Sequence, residues 1–370
     1  MYKLKEDICN SKIRNSNIEL LRILVMIMII AHHFSVHGLF EVENLLSVNN
    51  IWLQILASGG KIAVNIFVMI SGYFLISSSK IQTKKILKFL SQIWFYSLGI
   101  FMLFVISGLK PFSMSDLAKH IMGYPIWWFA KNYLALYLIH PYVNKCLNNL
   151  NKNEYQKLIV FSTILWSLIP TINLEPLDTG TLIWFIYIYI IGGYLKTYPP
   201  NLKCKTHVYF FTTTILYILT FLSVIILDYI SIRIPFVENH VLYFFELEKL
   251  STLLISIFLF LSFSNLEIKT NKIINVISSS TFGIYLIHDS LYVREFLWQT
   301  LFKNASYSNT FLLIPYSLLV ITIVFIACSI IELLRIYIFE KQYIKLLEKI
   351  STSIDKSIDK ILGLKFFNKL

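Results

Sequence analysis

Residues 18–34 read IELLRILVMIMIIAHHF, an apolar run of membrane-helix length that nevertheless carries Arg22 and His33. At about 100° and about 1.5 Å per residue, the eleven steps between them close to within about 20° of whole turns and span about 16 Å, so both side chains face the same way. An ionisable group at mid-bilayer costs about 3 kcal/mol, so two on one face of a spanning helix call for a polar interior or a hydrated cavity. The stripe therefore reads as a functional site. Two plainer readings stand beside it: Arg22 lies about one turn inside the helix start and can snorkel to the headgroups as a topological anchor, and His33 can be a hydrogen-bonded packing residue.

The rest of the chain has the same character. Of 370 residues 56% are hydrophobic and 15% charged, against about 25% charged in ordinary soluble domains, which excludes a conventional soluble protein. Apolar stretches near the usual spanning length recur throughout, at 18–36, 60–77, 88–107, 127–145, 157–172, 182–197, 208–228, 250–266, 278–298 and 311–334. The expected fold is an all-α integral membrane protein, a single bundle of about ten transmembrane helices filling residues 1–340, followed by a basic tail at 341–370. No internal repeat or soluble appendage is evident.

Charge sets the orientation, because cytoplasmic loops hold the excess Lys and Arg. With both termini cytoplasmic, most of the 33 basic residues fall inside, among them Lys3, Lys5, Lys12 and Arg14, the cluster Lys80, Lys84, Lys85 and Lys88, then Lys203, Lys205 and the C-terminal tail. Lys61, Lys110, Lys119, Lys131, Arg233, Lys249 and Lys303 fall in or beside external loops, and Arg22 and Arg294 lie within spans. The net charge of +12 thus reports topology and anionic lipid rather than nucleic acid. The tail has a loose helical periodicity that suits an amphipathic segment on the inner leaflet, with a partly disordered tail as the alternative. Cys9, Cys146 and Cys204 fall on the cytoplasmic side and Cys328 in the last span, so no external disulfide is expected. No Cys and His spacing reads as a metal site. The first run lacks a small-residue cleavage site and reads as a retained span.

Several residues could carry chemistry. Glu19 precedes Arg22 by three positions, a helical spacing that permits an ion pair. His288, in TFGIYLIHDSLYVREF (281–296), falls at nearly the depth of His33, with Asp289 adjacent; the two histidines can line one cavity, or His288 can bond a backbone carbonyl and pack. In GGKIAVNIFVMISGYFLI (59–76), Ser71 and Gly72 allow a neighbouring helix close approach. Lys80, Lys84, Lys85 and Lys88 suit lipid headgroups or the phosphates of a nucleotide-bearing cofactor. Trp127, Trp128 and Phe129, and again Trp184 and Phe185, form aromatic belts or stack on a sugar.

Taken in order, these pieces resemble the acyltransferase family 3 membrane proteins, bacterial enzymes that acylate carbohydrates. Glu19, Arg22 and His33 match the family's opening motif, FVMISGYFLI its Ser-Gly-aromatic segment, Trp128, Phe129, Tyr133 and Pro141 its aromatic segment, and Tyr285, Leu286 and His288 its Tyr-Leu-x-His. The resemblance implies a ten-span protein of the bacterial cytoplasmic membrane that uses acetyl-CoA or a related acyl-CoA to O-acylate a sugar of a cell-surface polysaccharide or its lipid-linked precursor. Where the family usually shows Arg, this chain has Lys84, Lys85 and Lys88, which keep the charge without the bidentate geometry.

On this reading the catalytic residues are His33, Arg22, His288 and Glu19. His33 is the general base on a sugar hydroxyl or, in a variant, an acyl carrier. Arg22, with Lys84, Lys85 and Lys88, holds donor phosphates, His288 assists the oxyanion or proton path, and no metal takes part. The rival class is a transporter of a lipid-linked sugar or small acid, its pathway lined by the same charges. The acceptor hydroxyl, the acyl group, the side on which the acceptor is met and the oligomeric state are left open.

Overall fold

A computed structural model describes residues 15–123, 127–172, 180–199 and 206–362. Cys9, Cys204, Lys3, Lys5, Lys12, Arg14, Lys203, Lys205 and residues 363–370 of the tail lie outside the described residues. Every regular element described is helical. The long ones are α1 (Ser16–His37), α2 (Val48–Leu75), α3 (Thr83–Ile106), then, after the short α4 (Met114–Ile121), α5 (Trp128–Asn148), α6 (Lys152–Thr163), α7 (Gly180–Thr197), α8 (Thr206–Ser231) and α9 (Leu250–Ser264). Three short helices follow, α10 (Lys272–Ser278), α11 (Thr281–His288) and α12 (Leu291–Glu295), then α13 (Leu313–Arg335) and α14 (Lys341–Leu362).

Among the described residues seven helices are long and apolar enough to cross a membrane: α1, α2, α3, α6 with its continuation to Ile172, α7, α8 and α13 running on into α14. The chain is a multi-pass membrane protein. Three of the ten expected segments differ. The fourth, α5, is one helix but carries Lys131, His140 and Lys145; the eighth, α9, has only 15 residues. The ninth, expected at 278–298, is not one span, because the chain breaks at Ser279–Ser280 and again at Asp289–Ser290. The second begins at Val48 rather than 60, since Asn49, Asn50, Gln54 and Ser58 lower the local hydropathy while their side chains bond inside the protein.

Helix α2 is the hub, with most of its surface buried, whereas α8 is almost wholly peripheral. Phe211, Ile218, Leu219 and Ile226 on α8, and Leu318, Leu319, Ile326 and Ile330 on α13, are exposed. In water such a belt is an aggregation hazard; in a bilayer it is the lipid-facing surface. Buried polar side chains are mostly bonded across helices. Asn144 donates to the carbonyls of Leu75 and Ser78 at 2.6 and 2.8 Å while accepting from Tyr189 Oη, and Trp184 Nε1 donates to Asn65 Oδ1 at 2.8 Å.

The small-residue contact read at Ser71–Gly72 is present between α2 and α7. A Cβ on Gly72 would lie 2.2 Å from the Tyr189 carbonyl oxygen, and one on Gly192 would lie 2.2 Å from that of Met69. Both obstacles are backbone, so the helices themselves must part. Gly72→Ala is expected to cost about 1–3 kcal/mol, the usual range for overpacking, measured as a lowered thermal midpoint in detergent. An unchanged midpoint would show the helix pair to be looser than these distances allow.

Helix α14 folds back along the start of α3, where Lys84 meets Glu348 at 2.5 Å and Thr83 Oγ1 donates to Asp355 at 2.5 Å. A π turn, Ile336–Glu340, joins it to α13. Cys146 is exposed and Cys328 buried.

Candidate active site

One face of α1 presents Arg22, Met26, Ile29 and His33 to an internal cavity of about 280 Å³. The opposing face of α2 supplies Lys61, Val64, Phe67 and Ser71; Phe89 of α3, Trp128, Phe129 and Tyr133 of α5, and Thr281, Phe282 and Tyr285 of α11 close it. The shared stripe read from the sequence is thus real, and it faces a void. Phe67, Ser71, Trp128, Phe129, Tyr133 and Tyr285, all from the sequence motifs, border the same cavity from three other helices. Trp184 does not: it is buried and bonded to Asn65, so it offers no face to a sugar.

His33 and His288 come from separate helices and meet. His288 is fully buried, and its Nδ1 lies 2.6 Å from the Ile284 carbonyl. A carbonyl only accepts, so Nδ1 carries the proton and, in a neutral ring, Nε2 carries a lone pair. That nitrogen is 3.0 Å from His33 Nδ1, which must therefore be the donor. The proton of a neutral His33 is thereby fixed on Nδ1, and its Nε2 is left as the lone-pair nitrogen, the form a general base needs. Of the two alternatives for His288 the structure shows the second: it bonds a backbone carbonyl and does not itself line the cavity, and through that bond it sets the state of His33.

Behind the pair, Asp289 Oδ1 lies 3.7 Å from His33 Nδ1 and 2.7 Å from a terminal guanidinium nitrogen of Arg294. The break after His288 is what lets this carboxylate turn back. His33, His37 and Asp289 offer donor atoms within 4.8 Å of one another, but His33 Nδ1 is held by His288 and Asp289 by a cation, so we assign no ion to them.

Glu19 sits 4.0 Å from Arg22 Nε and accepts a short hydrogen bond from Ser278 Oγ. It therefore ties α1 to the end of α10 and holds Arg22 only loosely; Arg22 Nε is buried without a hydrogen-bond partner. At this end the cavity adjoins a wider vestibule of about 780 Å³, the two sharing Arg22, Thr281 and Phe282. Lys85 and Lys88 line the vestibule, whereas Lys84 does not. Lys88 is paired with Glu340 and Lys84 with Glu348 at 2.5 Å.

The vestibule also holds a buried cluster not anticipated from the sequence. Glu332 accepts from Arg335 Nε and from a terminal Arg335 nitrogen, both at 2.8 Å, from Gln92 at 2.9 Å and from Tyr96 Oη at 2.5 Å. Arg335 reaches Glu340 and Tyr343 as well. A signal existed: IELLRI occurs at 18–23 and again at 331–336. The two copies come to one vestibule, where Arg335 is saturated by carboxylates and Arg22 is not.

The family model described as an acyltransferase domain matches residues 15–333, which includes every residue bordering the inner cavity. The chain belongs to acyltransferase family 3. No curated protein and no solved structure gives a match. Membership makes acyl transfer the chemistry to be explained.

Proposed function

We propose that this chain is a membrane O-acyltransferase that moves an acyl group, in the first instance acetyl, from cytoplasmic acyl-CoA to a sugar hydroxyl of a cell-surface polysaccharide or its lipid-linked precursor. The observation that carries this reading is the continuous cavity with an underpaired guanidinium at one end and His33 at the other. The vestibule is assigned to the cytoplasmic side of a bacterial cell membrane, where Arg22, Lys85 and Lys88 receive the donor's phosphates; Lys84 contributes charge from just outside. The eleven residues from Arg22 to His33 span about 16 Å, a length an extended pantetheine arm covers, and the apolar wall of Met26, Ile29, Val64 and Phe67 suits such an arm.

His33 Nε2 takes the proton of the sugar hydroxyl as its oxygen attacks the thioester carbonyl. The tetrahedral adduct collapses, the C–S bond breaks, and the CoA thiolate takes the proton from His33. Asp289, close to His33 Nδ1, stabilises the imidazolium while it lasts. His288 positions the ring, and Glu19 anchors the start of α1, which carries Arg22, to α10.

The test is chemical. Protein reconstituted in vesicles with acetyl-CoA and surface glycan is expected to add an acetyl mass increment to the glycan, and cells without the gene are expected to lose that increment. Loss of the glycan itself, with no acetyl transfer in vesicles, would overturn the reading in favour of transport.

A further inference from the structure

The charge pattern places Lys61 in or beside an external loop, but it lies thirteen residues into α2 and borders the inner cavity. Its depth is fixed by neighbours: His32 Nδ1 bonds the Ala57 carbonyl at 2.6 Å, and a Cβ on Gly60 would lie 2.4 Å from His32 Cγ. Lys61 therefore stands at the level of His32 and His33, about 15 Å from Ser71 along the helix. Among the described residues its ammonium has no hydrogen-bond or ion-pair acceptor. It sits 5.7 Å from the centroid of Trp128, a cation–π contact that tolerates the charge without neutralising it. Glu246 and Glu248 act on it only through space, and Glu246 is paired with Lys249 at 3.4 Å.

An ionisable residue inside a membrane protein marks a functional site by default, and a cation without an anion beside it suits a negative charge that arrives with the reaction. We propose that Lys61 is the oxyanion-stabilising residue of the acyl transfer, a role that rests on the reading given under the proposed function. When the hydroxyl oxygen bonds to the thioester carbon, the carbonyl π pair moves onto oxygen and His33 holds the proton. The Lys61 ammonium holds that oxygen until the pair returns, the C=O re-forms and the thiolate leaves. A fixed donor in a water-poor site lowers this barrier because it is already oriented.

The experiment compares wild type, Lys61→Met and Lys61→Arg in vesicles, with acetyl-CoA as the probe. It follows CoA thiol release without acceptor (hydrolysis) and acetyl transfer with glycan present. Loss of a single oxyanion donor predicts a fall in kcat of about 10²–10³-fold for both reactions in Lys61→Met, with KM for acetyl-CoA unchanged and the arginine variant intermediate. Hydrolysis at the wild-type rate with only the acceptor KM raised would overturn the proposal and make Lys61 a binder of an acidic acceptor. Equal rates in all three overturn it outright. Should Lys61→Met fail to fold, Lys61→Gln carries the same comparison. Wild-type protein that releases no CoA overturns acyl transfer itself, a failure distinct from that of Lys61 alone.

Discussion

Replacing His33 with asparagine is expected to reduce acetyl transfer by about 10²–10⁴-fold, the contribution of a positioned general base, while KM for acetyl-CoA holds. The asparagine amide can still donate toward His288 Nε2, so the polar contact between α1 and α11 has a substitute, but no basic nitrogen remains on the cavity wall. The side chain borders a void, so the smaller residue strains nothing, and the melting temperature is expected to stay within a few degrees. His33→Ala separates base from bond: it should be as inactive as the asparagine variant but slightly less stable, since His288 Nε2 then loses its donor. The measurement is single-turnover acetyl transfer in vesicles alongside thermal unfolding. Near-normal turnover in either variant removes His33 from the reaction, and a collapsed melting temperature with parallel activity loss makes its role structural.

Glu332→Ala is expected to be the most destabilising single change in the vestibule. It leaves Arg335 buried with Glu340 as its nearest counter-charge and strips acceptors from Gln92 and Tyr96. Breaking one side of a buried ion pair costs about 3–5 kcal/mol, because the surviving charge is left without its partner. The same reasoning predicts partial rescue. In Glu332→Ala/Arg335→Met the orphaned charge is gone, so the double variant should melt above Glu332→Ala alone, a non-additivity read by thermal unfolding in detergent. Additive losses would mean that the two residues contribute independently and that the bidentate geometry carries little of the stability.

The sequence made the central geometry legible because it depends on period alone. Arg22 and His33 share a face whatever surrounds them, and small residues at Ser71–Gly72 announce a close helix pair. What stayed hidden depends on neighbours. The ninth segment is apolar on average, and averaging conceals the short breaks at Ser279–Ser280 and Asp289–Ser290 that aim His288 and Asp289 at His33. The polar residues that open α2 bond across the interior, so a hydropathy reading starts that helix too late, at 60, and leaves Lys61 at its outer end instead of thirteen residues in. The repeated IELLRI is legible on its face, yet identical residues finish in different electrostatic settings: one copy meets a serine and a void, the other an amide and a phenol that donate to its glutamate and a second glutamate that accepts from its arginine. No local reading distinguishes an arginine kept for a ligand from one spent on the scaffold.

The π turn at Ile336–Glu340 has a consequence for everything after it. A π turn accommodates one residue more than an α turn, and Arg335 reaches Glu340 across a five-residue separation. Removing one residue here to restore ordinary winding would rotate the C-terminal rod by about 100° about its axis, carrying Glu348 and Asp355 away from Lys84 and Thr83 together. A single surplus peptide unit thus acts as the phase setting of an entire helix, and length changes in that turn should unlatch the rod even where every contact residue is retained.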